Sequence, residues 1–136
     1  VLAQRLVRTV CLHCRTSHEP SAAARRRVAE TFGPVEEYIK GRGCSNCFQT
    51  GFYGRIGLYE LVPMDERLAD VVRRGEGVDA LRRAFGDADR LTLWSDGINK
   101  VRAGITSLEE VLRVLAGCPG GLKGAPVPTE SIPAEA

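Results

Sequence analysis

The sequence predicts an α+β fold in which a cysteine-rich subdomain with short β-strands precedes a small all-α subdomain. Two C-x-x-C pairs lie in the first part of the chain, and each pair can turn two thiolates toward one point. Aromatic and β-branched residues follow the second pair, which is typical of extended chain. Beyond residue 64, apolar residues recur at helical spacing between glycines and capping residues, and this pattern predicts short helices.

Length and composition limit the protein to one ordinary domain or two small ones. The chain has 136 residues, of which 43% are hydrophobic and 26% charged, as in globular proteins. No apolar run reaches the roughly 20 residues of a membrane span. The net charge of +2 is too small to indicate nucleic-acid binding by itself. Because the chain starts at Val1 and its one methionine is Met64, we expect a processed product, a designed sequence or a fragment of a longer protein.

The first half of the chain is predicted to contain two helices. Leu2, Leu6 and Val10 recur at i, i+4 and i+8, so we predict that residues 1–10 form a helix that runs into the first cysteine pair. A second helix is predicted from Glu19 to about residue 32, where Gly-Pro ends it.

Strands are predicted around the second cysteine pair. Val35, Tyr38 and Ile39 indicate a short strand that enters the pair. Residues 50–63 mix aromatic and β-branched residues with glycines, which predicts an extended, hairpin-like segment ending at Pro63. We therefore expect residues 11–63 to form one cysteine-centred subdomain.

Residues 64–117 are predicted to form four short helices that bury their apolar faces on one another. Asp65 can cap the first helix, and Thr106 with Glu109 can form a capping box at the last. Trp94 is expected to anchor the helical core. Residues 118–136 are rich in Pro, Gly, Ala and Ser, and we expect them to be a disordered tail.

The two cysteine pairs are predicted to bind one structural zinc ion through four thiolates. A loop of 29 residues separates the pairs and can bring them together, and a closed tetrahedral sulfur shell leaves no position for water or substrate. The alternatives are two disulfides, a redox pair, or spectator thiols. Cys118 is expected to be inert, and His13 and His18 to lie on the surface. The predicted ligands are Cys11, Cys14, Cys44 and Cys47.

Three segments carry a resemblance to a known family. Residues 43–60, GCSNCFQTGFYGRIGLYE, resemble the second zinc knuckle of the ATPases that drive type II secretion and type IV pilus assembly. Residues 3–8, AQRLVR, are similar to the segment leading from the catalytic domain into the first cysteine pair of that family. DGINKV and GITSLEEVL, at residues 96–101 and 104–112, resemble its terminal helical signature. The segments follow the order of the family and fit both kinds of system.

The resemblance implies a cytoplasmic hexameric ATPase, peripheral at the inner membrane, with a RecA-like P-loop core, a zinc-binding insertion and a C-terminal helical part. These 136 residues do not contain that core. Residues 1–10 would be the end of the catalytic-domain helix. ATP and Mg²⁺ would bind the parent protein, since no G-x-x-x-x-G-K-[ST] occurs here. The chain alone is therefore expected to hold no catalytic or nucleotide-binding residues, although an approach of Arg5 or Arg8 to nucleotide stays open.

The resemblance also implies partners, and two other classes of function compete with it. The expected partners are neighbouring ATPase subunits and inner-membrane platform proteins, with no nucleic acid. The alternative is a free-standing structural zinc module that binds protein or nucleic acid; nucleic acid would require cations interleaved with aromatics. An enzyme in its own right is disfavoured, because no Cys/His pair has a third orienting group and no metal position would be open.

Overall fold

The computed structural model describes residues 1–85 and 91–118, which form strands, a 3-10 turn and helices in an α+β arrangement. The expected tail lies outside these residues apart from Cys118. In chain order the elements are β1 (Leu2–Val10), β2 (Arg15–Ser17), α1 (Ala22–Phe32), β3 (Ile39–Gly41), the 3-10 turn (Ser45–Cys47), β4 (Phe52–Leu61), α2 (Glu66–Arg73), α3 (Val78–Phe85), α4 (Leu93–Arg102) and α5 (Leu108–Val114).

The prediction of a helix over residues 1–10 is wrong, because this segment is strand β1. β1 pairs antiparallel with β4, and the register runs from Leu2 opposite Leu61 to Val10 opposite Phe52. A spacing of four residues also fits the two-residue period of a strand, so the leucines share a face in either conformation. The ladder partner lies about fifty residues along the chain, where helical spacing within the segment cannot reveal it.

A hairpin-like segment was predicted at residues 50–63, but the structure has one long strand there, β4 (Phe52–Leu61). β4 finds its partner in β1 and not within itself, and β2 pairs separately with β3. The strand predicted at residues 35–39 is displaced to β3. Gly41 and Gly51 let two backbones meet beside the cysteines: a Cβ atom on Gly41 would lie 2.0 Å from the carbonyl oxygen of Gly51. No other residue type fits that contact.

The main core lies between the β1–β4 sheet and the helices α1, α4 and α5. Val7 and Leu58, at the centre of the sheet, are fully buried, and Trp94 is 5% exposed, as predicted for a core anchor. The core residues come from both sides of residue 64. They are Val7, Ala24, Val28, Tyr38, Leu58, Leu93, Trp94, Ile98, Val101, Leu108, Val111, Leu112 and Leu115.

The four C-terminal helices were predicted to bury their apolar faces on one another. In the structure, two of them also bury apolar residues on the β1–β4 sheet. α4 and α5 pack on the sheet as well as on each other, whereas α2 packs mainly against α3. The sheet offers α4 and α5 a larger apolar surface than a short helix can, because Val7 and Leu58 point to the same side. Among the described residues, no helix is long and apolar enough to cross a membrane.

Two helix starts were predicted from capping residues, and one of them is displaced by one position. Asp65 caps α2 by accepting from the backbone N–H of Leu68, as predicted. The cap of α5 is Ser107, whose hydroxyl accepts from the N–H of Glu110. Thr106 is drawn into a different contact, since its hydroxyl donates to the carbonyl oxygen of Arg8 at 2.8 Å. Thr106, which the local pattern assigned to the helix cap, is thus bonded to a strand that is distant in the sequence.

Candidate metal centre

The four predicted cysteines converge at the end of the β1–β4 sheet. Cys11 follows β1 directly, and Cys14 lies in the turn after it. Cys44 precedes the 3-10 turn between β3 and β4, and Cys47 is its last residue. Their sulfur atoms all lie within 4.8 Å of one another, so the cluster could hold a metal ion. Cys118 is not in the cluster and instead packs at the edge of the main core.

The sulfur spacing fits a tetrahedral metal site. The Sγ–Sγ distances are 3.9 Å for Cys11–Cys44, 3.8 Å for Cys14–Cys47 and 3.7 Å for Cys44–Cys47. Four thiolates at the usual Zn–S distance of about 2.3 Å have tetrahedral edges of about 3.8 Å. All the cysteines are free thiols. The geometry therefore supports metal binding over the disulfide alternative.

Backbone N–H groups point at two of the sulfur atoms. Cys47 Sγ accepts from the N–H of Cys44 and of Gly51, both at 3.2 Å, and Cys14 Sγ accepts from the N–H of Gly43 at 3.3 Å. Such donors stabilise negative charge on a thiolate. Gly43 has a φ angle of +96° and Gly51 of +77°, a left-handed region that favours glycine. The glycines that flank the second pair therefore aim these amides.

The pKa values of two of these thiols move in opposite directions. Burial raises the pKa of Cys14 to about 11, with the Gly43 amide opposing the rise. Burial also acts to raise the pKa of Cys47, but the amides of Cys44 and Gly51, together with hydrogen bonds from the neighbouring thiols, outweigh it and lower the pKa to about 6. The second pair thus presents a thiolate near neutral pH, which is the form that binds a metal.

Neither histidine near the first pair joins the cluster. His13 is exposed, and the ring Nε2 of His18 lies 2.8 Å from Glu109 Oε1. The donor set is four sulfurs, of which Cys11 and Cys47 are 1% exposed. A closed set of this kind is typical of structural metal sites and leaves no position for a reacting water.

Arg8 closely precedes Cys11 in the sequence, but its charge is not directed at the sulfur cluster. Instead its guanidinium binds the carboxylate of Glu110 at 2.8 Å and lies over the ring of Phe52, 4.1 Å from the ring centroid. The Glu110 side chain is 1% exposed and also accepts from Arg113 at 2.7 Å. This buried carboxylate ties α5 to the strand that leads into Cys11.

Sequence reasoning missed Glu110, although its position in α5 was recognised. Another acid, Asp96 of α4, plays a matching part on β4, where it accepts from the backbone N–H of Tyr59 at 2.9 Å. Each acid satisfies an amide at the outer edge of one strand. An acidic residue in a helical pattern usually indicates a solvent-exposed face. The sequence therefore gives no sign of these buried contacts, which depend on the fold.

The chain matches a family model described as "Type II/IV secretion system protein" over residues 1–113. It is 40% identical over 114 residues to "Type II secretion system protein E" of Aeromonas hydrophila, which covers 84% of this chain and 23% of the relative. It is 35% identical over 114 residues to "Type IV pilus assembly ATPase PilB" of Thermus thermophilus, with 82% of this chain and 13% of the relative covered.

The aligned region is therefore less than a quarter of the length of these relatives, although it covers most of this chain. The matched residues include both cysteine pairs, the β1–β4 sheet and the helices up to α5. The chain belongs to the type II/IV secretion system protein family.

Proposed function

We propose that the chain is the non-catalytic, zinc-binding and helical C-terminal portion of a hexameric ATPase that drives type II protein secretion or type IV pilus assembly. In this role it couples ATP-driven motion of the catalytic core to partner proteins. The observation that carries the proposal is the set of contacts joining the cysteine cluster, the β1–β4 sheet and α5.

The proposed cofactor is one structural zinc ion bound by Cys11, Cys14, Cys44 and Cys47. A soft, four-sulfur donor set with tetrahedral spacing favours zinc among common metals. The ion would supply no chemistry beyond fixing the two knuckles to each other. ATP and Mg²⁺ would bind the parent protein, because the sequence contains no Walker A loop.

The contacts around the cluster support a stiff connection between the zinc knob (residues 8–18 and 38–55) and the C-terminal helices. The N–H of Val10 donates to the carbonyl oxygen of Ile105 at 2.8 Å, next to the first ligand. The carboxylate of Glu110 accepts from the backbone N–H of Arg8 and from the Arg8 guanidinium. His18 contacts Glu109 at the start of α5. Because these contacts join the knob to α5 and to the turn before it, a displacement of the C-terminal helices also moves the knob.

The proposed partners are neighbouring subunits of the same ATPase and the inner-membrane platform proteins of the secretion or pilus machine. The proposed location is the cytoplasm, at the periphery of the inner membrane. Relatives described as a type II secretion system protein and as a type IV pilus assembly ATPase support a role in such a machine. Phe52, Tyr53 and Tyr59 lie among glycines with Arg55 as the only cation between them, and the charge of Arg8 beside Phe52 is taken by Glu110. A nucleic-acid groove uses a row of cations interleaved with aromatics, so no nucleic-acid partner is proposed.

The test uses the parent protein that contains this chain. Cys44→Ser should cost the parent its zinc and abolish secretion or pilus assembly in cells, while the purified catalytic domain keeps a measurable ATPase rate. Cys118→Ser is the matched control, since this thiol lies outside the cluster. Full secretion or assembly by a zinc-free Cys44→Ser protein would overturn the proposal.

A further inference from the structure

A cleft of about 520 Å³ lies between the first zinc knuckle, the start of β4 and the turn that joins α4 to α5. We call it the knuckle cleft. Its apolar walls include Val10, Leu12, Tyr53 and Ile105, and its polar groups include Arg15 and Asn46. Its volume is within the range of binding pockets, and mixed walls of this kind hold ligands that carry an apolar group beside a polar one.

Apart from the zinc–thiolate cluster, whose net charge is negative, the charged side chains of the two segments that carry the knuckles are cations. Residues 1–18 and 38–59 contain no aspartate or glutamate, whereas they contain six arginines and lysines. None of the described residues that line the cleft carries a carboxylate. The cations of these two segments are Arg5, Arg8, Arg15, Lys40, Arg42 and Arg55.

Arg15 is the cation at the wall of the cleft. Its guanidinium lies against Gly104, where an added Cβ atom would be 3.9 Å from Arg15 Nη2. The structure gives Arg15 no ion pair with a described residue, in contrast to Arg8, whose charge is taken by Glu110. A guanidinium beside an apolar wall is well suited to a carboxylate.

The apolar side of the cleft is open to a ligand. Leu12 is 74% exposed and Tyr53 68% exposed at the rim, while Val10 is 4% exposed at the back. Exposed leucine and tyrosine side chains beside a recessed wall form a place for one aromatic or aliphatic side chain. The cleft therefore combines a pocket for an apolar group with a cation for a neighbouring negative charge.

We propose that the knuckle cleft binds a peptide segment of a partner protein in which an aromatic or aliphatic residue adjoins an aspartate or glutamate. The apolar side chain packs between Leu12, Tyr53 and Val10, and the carboxylate accepts from Arg15. This inference deepens the proposed coupling function, on which it rests for the view that the partner is a protein.

Two other ligand classes fit the cleft less well. A membrane surface is flat on the scale of the cleft and cannot reach Val10 at its back. A nucleotide phosphate chain is usually held by several converging backbone N–H groups or cations, whereas among the described lining residues Arg15 is the only lysine or arginine. A peptide side chain can enter the concave wall and place its neighbour on the guanidinium.

The test is a titration of the zinc-loaded, ¹⁵N-labelled chain of 136 residues, followed by the amide chemical shifts. The probe is the blocked peptide Gly-Glu-Phe-Glu-Leu-Gly, and its control replaces both glutamates with glutamine. We expect saturable shifts at Leu12, His13, Gly104 and Ile105, with affinity about tenfold lower for the glutamine peptide because a charge-assisted hydrogen bond is lost.

Three variants locate the contact. Arg15→Ala should weaken binding of the glutamate peptide about tenfold, whereas Arg55→Ala should leave it unchanged, because Arg55 carries the same charge on the knob but does not line the cleft. Ala103→Glu should abolish binding by placing a carboxylate at the exposed wall, where the backbone has ordinary helical angles. The zinc content of each variant shows that its knob is intact.

The proposal is overturned if neither peptide produces saturable shifts at the cleft, or if the two peptides bind equally. It is also overturned if phosphatidylglycerol vesicles shift the cleft amides while the glutamate peptide does not, since the ligand is then a lipid surface. The titration needs no ATP and no assembled machine. A failure of the coupling experiment in the parent protein is therefore distinguishable from a failure of peptide binding.

Discussion

Arg8 and Glu110 lie 102 residues apart in the sequence, and two groups of Arg8 bind the Glu110 carboxylate. The backbone N–H of Arg8 donates to Glu110 Oε1 at 3.0 Å, and its guanidinium donates to Oε2 at 2.8 Å. Because the carboxylate is buried, it holds α5 against the strand that leads into the first cysteine pair. Four predictions concern this contact, the cysteine cluster and the helices.

Replacing Glu110 with glutamine should destabilise the protein. The variant keeps the size of the side chain but removes the negative charge that two arginines share. Because both arginines are partly exposed, the expected loss is about 2 kcal/mol in the free energy of unfolding, below the range for a fully buried pair. Urea denaturation measures it. Glu36→Gln is the control, since that residue is exposed, and an equal effect of both variants would contradict the prediction.

Stability should fall in acid through the same carboxyl group. Burial acts to raise the pKa of Glu110, but hydrogen bonds from Arg113 and Arg8 outweigh it and lower the pKa from 4.5 to about 2. The folded state thus binds the proton less tightly than the unfolded state. The contribution is fully present above pH 4.5 and is lost as the pH falls toward 2. Urea denaturation across this range should show a smaller decline for Glu110→Gln than for the unchanged chain; equal declines would refute it.

Replacing Cys44 with serine should remove the zinc and unfold the knob. Structural zinc contributes on the order of 10–16 kcal/mol in small zinc-dependent domains, so three remaining thiolates are expected to be insufficient. Residues 11–60 should lose ordered structure while α4 and α5 stay partly helical. Elemental analysis and circular dichroism measure the two effects. Cys118→Ser should retain one zinc per chain, and a zinc-free but fully folded unchanged protein would contradict the assignment.

The segment 64–117 should be marginally stable by itself. In the structure α4 and α5 bury their apolar residues against Val7 and Leu58, which the truncation removes. Gross burial of about 1.5–3 kcal/mol per large apolar side chain then no longer offsets the cost of ordering the chain. A thermal melt of residues 64–117 followed by circular dichroism should show a broad, low-temperature transition. A cooperative, high-temperature melt would mean that the helices form an independent domain.

The sequence by itself determined the features that depend on local chemistry. The C-x-x-C spacing identified the four cysteines that converge, because a short turn sets the direction of both side chains in each pair. Asp65 was recognised as a cap for the same reason, since its partner is three residues away. Residues 43–60 and 96–112 identified the family, and the α+β class followed from composition and period.

Only the tertiary structure decided the features whose partners lie far along the chain. Residues 1–10 are a strand because β4 supplies the ladder, and Thr106 is not the cap because the carbonyl of Arg8 takes its hydroxyl. The buried roles of Asp96 and Glu110 depend on strand edges that no sequence window contains. Each of these contacts joins groups that are tens of residues apart in the sequence. It stabilises the protein only after the intervening chain has closed into a loop. A local sequence pattern therefore cannot predict it.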